Sequence, residues 1–210
     1  MGTDAVTEAY GARAEEYREA VGRIEHAAPE DRNHVLAWAR EVDGPVLDVG
    51  CGPGQWTNLL HENGVDVVGV DPTPAFVADA QARYPAARYR IGRAEDLGVP
   101  DRSLGGVLAW YSLIHTHPDH LTAPLAELVR CLRPGGSALL GFFLGPDGQA
   151  FDHAITTAYS WSVDGLAQRL DDAGLAVVDA RTRTEPDARP QGVLVAERPI
   201  TASPAPAPRG

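Results

Sequence analysis

The chain contains no lysine; its eighteen strongly basic residues are all arginine. That absence removes Schiff-base chemistry, and with it pyridoxal-phosphate and aldolase-type catalysis, and it removes the phosphate lysine of a P-loop. Cysteine is almost as scarce. Only Cys51 and Cys131 occur, so no disulfide framework is implied, and both thiols are expected to be buried, reduced and inert. No apolar run approaches the length of a membrane span, and Met1 to Val21 is charged and helical in pattern rather than like a signal peptide. Positive charge is also short. A net charge of −11 disfavours nucleic acid or anionic membrane as a partner, because phosphate binding needs a strong basic field. The expectation is a cytoplasmic protein that acts on small molecules. At 210 residues it is long enough for one domain with a real core and too short for two comfortable ones.

What is present is organised around Val46 to Thr57, an apolar run that breaks into Gly50, Gly52 and Gly54 and resumes as a helix. Val46, Leu47 and Val49 favour a strand, and the glycines permit a tight strand-to-helix turn that a ligand can approach closely. Loop amides and the following helix N-terminus are expected to point at that ligand. A dinucleotide fingerprint has its third glycine five residues after the first, but position 55 is Gln, which argues against NAD.

With Asp48 ahead of Gly50-Cys51-Gly52-Pro53-Gly54, the stretch resembles motif I of class I S-adenosylmethionine-dependent methyltransferases. Asp71 ends the next apolar run, about twenty residues on, where an α/β nucleotide-type site needs an acid for ribose hydroxyls; Pro72 follows it. After a short third strand, Gly92-Arg-Ala-Glu-Asp-Leu97 occupies the place of the family's adenine-gripping segment, with Ala94 matching the backbone contact and Glu95 the acidic one. Trp110, in the fourth strand, falls where the backbone usually meets the methionyl end. Leu132-Arg-Pro-Gly-Gly136, turning into the fifth strand, is a further signature of the family. One departure is local: the family commonly has Phe-Asp before the fourth strand, where Leu104, Gly105 and Gly106 stand here. That strand also lacks the Asn/Asp-Pro-Pro-Tyr/Phe motif of amide and exocyclic-amine methyltransferases.

In chain order, Thr3 or Thr7 caps a first helix with Tyr10, Ala14, Tyr17 and Val21 on one face; the resemblance implies that Tyr10 and Tyr17 contact the cofactor. Helices are expected at 31–42, 57–63, 74–84, 121–132 and after Ser162. Strands alternate with them, a glycine-containing insertion runs from Gly145 to Ala158, and a hairpin at 175–184 and 192–198 closes the domain. The fold implied is α/β: a Rossmann-like, doubly wound, seven-stranded, mostly parallel sheet with an antiparallel C-terminal strand and N-terminal helices over the cofactor. One domain covers 1–199, with a helical cap at 1–43 and the α/β core at 44–199, and 200–210 reads as a disordered Pro/Ala tail.

The resemblance implies methyl transfer from S-adenosylmethionine by in-line displacement, for which the protein supplies alignment, desolvation and sometimes a base. His115, in the loop after the fourth strand, is the candidate base; a structural role for it stays open. His115, His117 and His120 with Asp119, Asp152 and His153 lack any recognised zinc spacing, so no metal is expected. Trp110, Tyr111, Phe142, Phe143, Phe151, Tyr159 and Trp161 cluster around the expected mouth, and Tyr111, Phe143 and Tyr159 are read as substrate-binding. Only one of Phe142 and Phe143 can face a ligand, since alternate strand residues point opposite ways. The acceptor is expected to be a hydroxyl or amine of a small apolar or aromatic metabolite; monomer and homodimer both stay open. Two rivals are a non-catalytic protein that keeps the fold and an NAD(P)-dependent reductase.

Overall fold

A computed structural model describes residues 3–13, 22–186 and 188–200. Tyr17, Ala14, Val21 and the tail after Ile200 lie outside the described residues. The elements run α1 (Thr3–Ala12), a 3-10 turn, α2 (Pro29–Glu41), β1 (Val46–Val49), α3 (Gln55–Glu62), β2 (Val67–Asp71), α4 (Pro74–Arg83) and β3 (Arg88–Ile91). They continue with β4 (Leu104–Trp110), a second 3-10 turn, α5 (Thr122–Cys131), β5 (Leu132–Phe143), β6 (Gln149–Phe151), β7 (Ala158–Ser160), α6 (Val163–Ala173), β8 (Ala176–Arg183) and β9 (Gln191–Glu197). Helix starts follow local chemistry. Pro29 and Pro74 sit in first turns, where a missing N–H costs nothing, so α2 begins two residues before the expected Asp31. Ser162 caps α6 by accepting from the Gly165 amide at 2.9 Å, and Gly174, at φ 100°, ends it.

One seven-stranded sheet has the order β3-β2-β1-β4-β5-β9-β8. The first five strands are parallel; β9 runs antiparallel to both β5 and β8. This is the expected doubly wound, Rossmann-like sheet. Its central strands read as apolar runs because both faces are covered: Val107 and Ala109 of β4 and Ala138, Leu140 and Phe142 of β5 belong to the core shared with α5 and α6. Leu108 and Leu139 point the other way, onto Val35, Trp38, Trp56 and Leu60 of α2 and α3. No helix among the described residues is long and apolar enough to cross a membrane.

Two local expectations change. The segment from Gly145 to Ala158 is not a plain insertion but a second, two-stranded sheet, β6 with β7, in which Gln149, Ala150 and Phe151 pair with Ser160, Tyr159 and Ala158. The Gly105-Gly106 pair that departs from the family pattern has a steric cause. A Cβ on Gly105 would stand 2.1 Å from the Asp43 carbonyl oxygen, and the Gly105 and Gly106 amides both donate to the Pro45 carbonyl, at 2.9 and 3.2 Å. Side chains are excluded there because the chain entering β1 presses on the start of β4.

Candidate functional site

The carboxyl ends of β1, β2 and β4 open into a cavity of about 680 Å³, the place where open parallel sheets bind ligands. Its floor is the glycine loop. Gly50, Gly52 and Gly54 have φ of 70°, 52° and 89°, a region costly to any residue with a Cβ. A Cβ on Gly50 would meet the Ser112 Cβ at 2.3 Å, and one on Gly54 the Ala80 Cβ at 2.7 Å and the Tyr89 ring at 2.8 Å. Gly50 and Gly52 line the cavity; Gly54 does not, since it is packed under α4 and starts α3.

The loop amides do not point at a ligand, contrary to expectation. Gly50 and Cys51 donate to the Val70 carbonyl at 2.7 and 3.1 Å, Gly54 donates to the Cys51 carbonyl at 3.1 Å, and Gly52 donates to Asp71 Oδ2 at 2.9 Å. The loop therefore offers a close, flat approach rather than an anion nest. A pyrophosphate would find the amides of Gly50, Cys51, Gly52 and Gly54 already engaged.

Asp71, at the end of β2, is 5% exposed and lines the cavity. Its Oδ1 accepts from the Thr73 amide at 2.8 Å while Oδ2 holds Gly52. A carboxylate has about four acceptor positions, so this one can fix the loop, meet the Thr73 hydroxyl and still accept from a ribose. Burial pushes its pKa up, and the two backbone donors oppose that shift.

Asp48 is placed differently from the expectation. It is 1% exposed, lies beneath the loop and accepts from Thr57 Oγ1 at 2.6 Å, so it supports the turn and is not part of the cavity wall. Burial raises its pKa to about 7, with the Thr57 hydrogen bond opposing and the Asp71 charge adding. A folded value above the unfolded one means the native state holds the extra proton. Stability therefore falls as pH rises through the window from about 4 to about 7. Asp48→Asn, neutral throughout and still able to accept from Thr57, is expected to be more stable than the parent at pH 8, by an amount on the order of 4 kcal/mol, and no more stable near pH 4. Thermal melts across that range check it; parallel melting profiles would refute the assignment.

Pro72, Ala94, Glu95 and Trp110 all line the cavity, as does Gly92 of the same segment as Ala94; Thr73, Phe76 and Ser112 line it too, and these three sequence reasoning missed. Ser112 Oγ is buried with no hydrogen-bond partner among the described residues, a polar atom left for something in the cavity. Tyr10 of α1 and His115 and His117 of the loop after β4 close the other end. Tyr10 Oη lies 2.7 Å from His115 Nε2, and His115 Nδ1 lies 2.8 Å from the Thr157 carbonyl oxygen. Burial lowers the His115 pKa to about 4, the Thr157 contact opposing and His153 adding.

Of the three residues read as substrate-binding, Tyr111 alone reaches this cavity. It takes φ 54°, and burial raises the pKa of its hydroxyl. Its ring lies 5.1 Å from that of Phe143. Phe143 does not line the cavity and packs against Tyr111, Phe151 and His153. Tyr159 is 8% exposed and sits edge-on to His117 at 5.3 Å. Among the described residues no group of three or more His, Cys, Asp or Glu could hold a metal ion.

Comparison with known proteins fits this geometry. Residues 46–136 match the family described as a methyltransferase domain. An uncharacterized methyltransferase of Synechocystis sp. is 31% identical over 161 residues, 71% of this chain and 76% of that protein. The chain belongs to the class I S-adenosylmethionine-dependent methyltransferases. An uncharacterized methyltransferase of Mycobacterium bovis is 36% identical over 121 residues, and the match covers only 47% of its length, so the chain spans about half of that relative. The solved structure of Burkholderia thailandensis 1,6-didemethyltoxoflavin-N1-methyltransferase, with bound 1,6-didemethyltoxoflavin and S-adenosylhomocysteine, superposes with a TM-score of 0.76 at 25% identity, over 93% of this chain and 88% of that one.

The methyltransferase cofactor, S-adenosylmethionine, suits the donor set. A floor where a Cβ on Gly50 would clash, an acid at the end of β2, the Ser112 hydroxyl without a partner among the described residues and a wall of aromatic rings match a ribose, an uncharged adenine and a sulfonium.

Proposed function

We propose that this methyltransferase domain moves a methyl group from S-adenosylmethionine to a hydroxyl or amine of a small apolar or aromatic metabolite. The observation that carries the reading is the cavity itself, in which the glycine floor and Asp71 share one space with Tyr10, Trp110, Tyr111 and His115. At about 680 Å³ it has the size of a small-molecule site. Asp71 is assigned to the ribose hydroxyls, Ala94 and Glu95 to the adenine, and Trp110 to the methionyl end, with Gly50 and Gly52 lying against the cofactor.

When bound, the cofactor supplies an electrophilic methyl carbon on sulfur. The protein's part is to align the acceptor and keep water out. Tyr111 does the second of these in this reading: its ring is clamped between Trp110 and Phe143 at 5.4 and 5.1 Å. Its left-handed backbone is held by the hydrogen bond that its N–H donates to the Gly141 carbonyl at 3.2 Å and by contact with Gly141, where a Cβ would come within 2.9 Å of the ring. Strain of this kind persists only where surrounding packing enforces it.

The test is to incubate the chain with S-adenosylmethionine and panels of phenols, aliphatic alcohols and amines, and to measure S-adenosylhomocysteine released. Acceptor-dependent release is expected. Cofactor binding with no release above background from any panel would favour a non-catalytic binding protein.

A further inference from the structure

Three separated segments meet in one row beside the cavity. Tyr10 comes from α1, His115 from the loop after β4, and Thr157 from the segment that leads into β7. A backbone carbonyl only accepts, so the 2.8 Å contact to Thr157 places the imidazole proton on Nδ1. Nε2 then carries the one ring lone pair, and the Tyr10 hydroxyl, 2.7 Å away, donates to it. His115 is 7% exposed, and its protonated form is disfavoured by burial. Both nitrogens are thus committed in the neutral ring. A base needs an open lone pair facing the acceptor, and this one faces tyrosine.

We propose that His115 is a positioning residue: it holds the Tyr10 hydroxyl, and through it α1, against the β6–β7 segment, so that the cofactor cavity is closed from that side by a three-part clamp. The inference rests on the reading of the cavity as the S-adenosylmethionine site. A second strap joins the same two parts, the Arg13 guanidinium donating to the Ala154 carbonyl. The Tyr10 ring also stands edge-on to Phe76, 5.8 Å between centroids, and Phe76 is itself a wall residue. Val6 and Thr7, one turn earlier on α1, line the cavity too. Loss of the tyrosine bond would therefore loosen an entire wall rather than one contact.

Two isosteric halves of histidine separate this role from that of a base. In His115→Gln the side-chain oxygen reaches roughly the place of Nε2 and can still accept from Tyr10; in His115→Asn the amide reaches only the place of Nδ1 and can serve Thr157 alone. Affinity for S-adenosylhomocysteine is the readout, since holding the product requires no proton removal. We expect Tyr10→Phe and His115→Asn each to weaken binding about tenfold, the size of one buried hydrogen bond lost. The double variant should be no worse than either alone, and His115→Gln should stay within about threefold of the parent. In the ligand-free chain, amide hydrogen exchange across α1 should accelerate in the Phe and Asn variants and not in Gln.

Unchanged S-adenosylhomocysteine affinity in all three single variants would overturn the clamp in favour of a base or a bystander. Equal losses in Asn and Gln, or additive losses in the double variant, would also overturn it. If the parent chain fails to bind S-adenosylhomocysteine, the cofactor reading falls, and the ligand-free exchange data still decide whether His115 holds α1.

Discussion

Asp71→Ala is expected to raise the dissociation constant for S-adenosylhomocysteine by at least ~100-fold, the largest effect of any single side chain in this site. Two losses combine. Each hydrogen bond between a ribose hydroxyl and a carboxylate is worth about 1.5–3 kcal/mol, and a pair of them alone accounts for a factor of ~100 or more. The Gly52 and Thr73 amides, now 2.9 and 2.8 Å from the carboxylate, also lose their acceptor, so the loop that forms the floor is released. Asp71→Asn keeps one acceptor oxygen and turns its amide NH2 toward one of those donors, so an intermediate loss is expected. Calorimetric titration of both variants decides the matter. An alanine variant within threefold of the parent would remove Asp71 from the cofactor site.

Gly50→Ala should abolish measurable S-adenosylhomocysteine binding and lower the melting temperature as well. The new Cβ would lie 2.3 Å from the Ser112 Cβ, at a φ of 70°. The backbone conformation costs about 1–2 kcal/mol, and forcing a methyl group into a packed site costs about 1–3 kcal/mol more. Relief requires either the loop or Ser112 to move, and both are cavity walls. Gly64→Ala is the control. Gly64 has a similar φ of 82°, yet a Cβ there would meet nothing within 4 Å. It should show the backbone penalty in a melt, about 1–2 kcal/mol, and leave S-adenosylhomocysteine affinity alone. Equal effects of the two variants on affinity would mean that the Gly50 contact has no bearing on the site.

The parts of this site that were legible in the sequence are those where geometry follows from chain spacing. Gly50, Gly52, Asp71, Pro72 and Ala94-Glu95 converge on one cavity because parallel strands in register bring their carboxyl ends together, as Val49 pairs with Val70 and Asp71 with Ile91. Side-chain direction was much less legible. Asp48 and Asp71 look equivalent as acids at strand ends, yet Asp48 points beneath the loop onto Thr57 because it stands two residues before the turn rather than at it. Phe143 was read as a pocket residue, but it packs against Phe151, His153 and the ring of Tyr111, whose backbone is left-handed. Nothing local announces a positive φ at a tyrosine.

The loop amides show the same limit. Glycine spacing says that a backbone can be approached; which way its N–H groups point depends on dihedral angles, and here they turn inward to Val70 and Asp71. The Tyr10–His115 pair, 105 residues apart in sequence, could be inferred only as two separate contacts. Phe76 and Ser112 could have been suspected from their places, one just inside the helix after Asp71 and the other just after Trp110, although a lone serine or phenylalanine carries no signal by type.

One titration bears most directly on the account: S-adenosylhomocysteine into the full chain, followed by calorimetry. Saturable binding to one site is predicted, in the micromolar range or tighter, and it should be lost with Asp71→Ala. Absence of saturable heat up to ~1 mM ligand would contradict the assignment of this cavity to the cofactor.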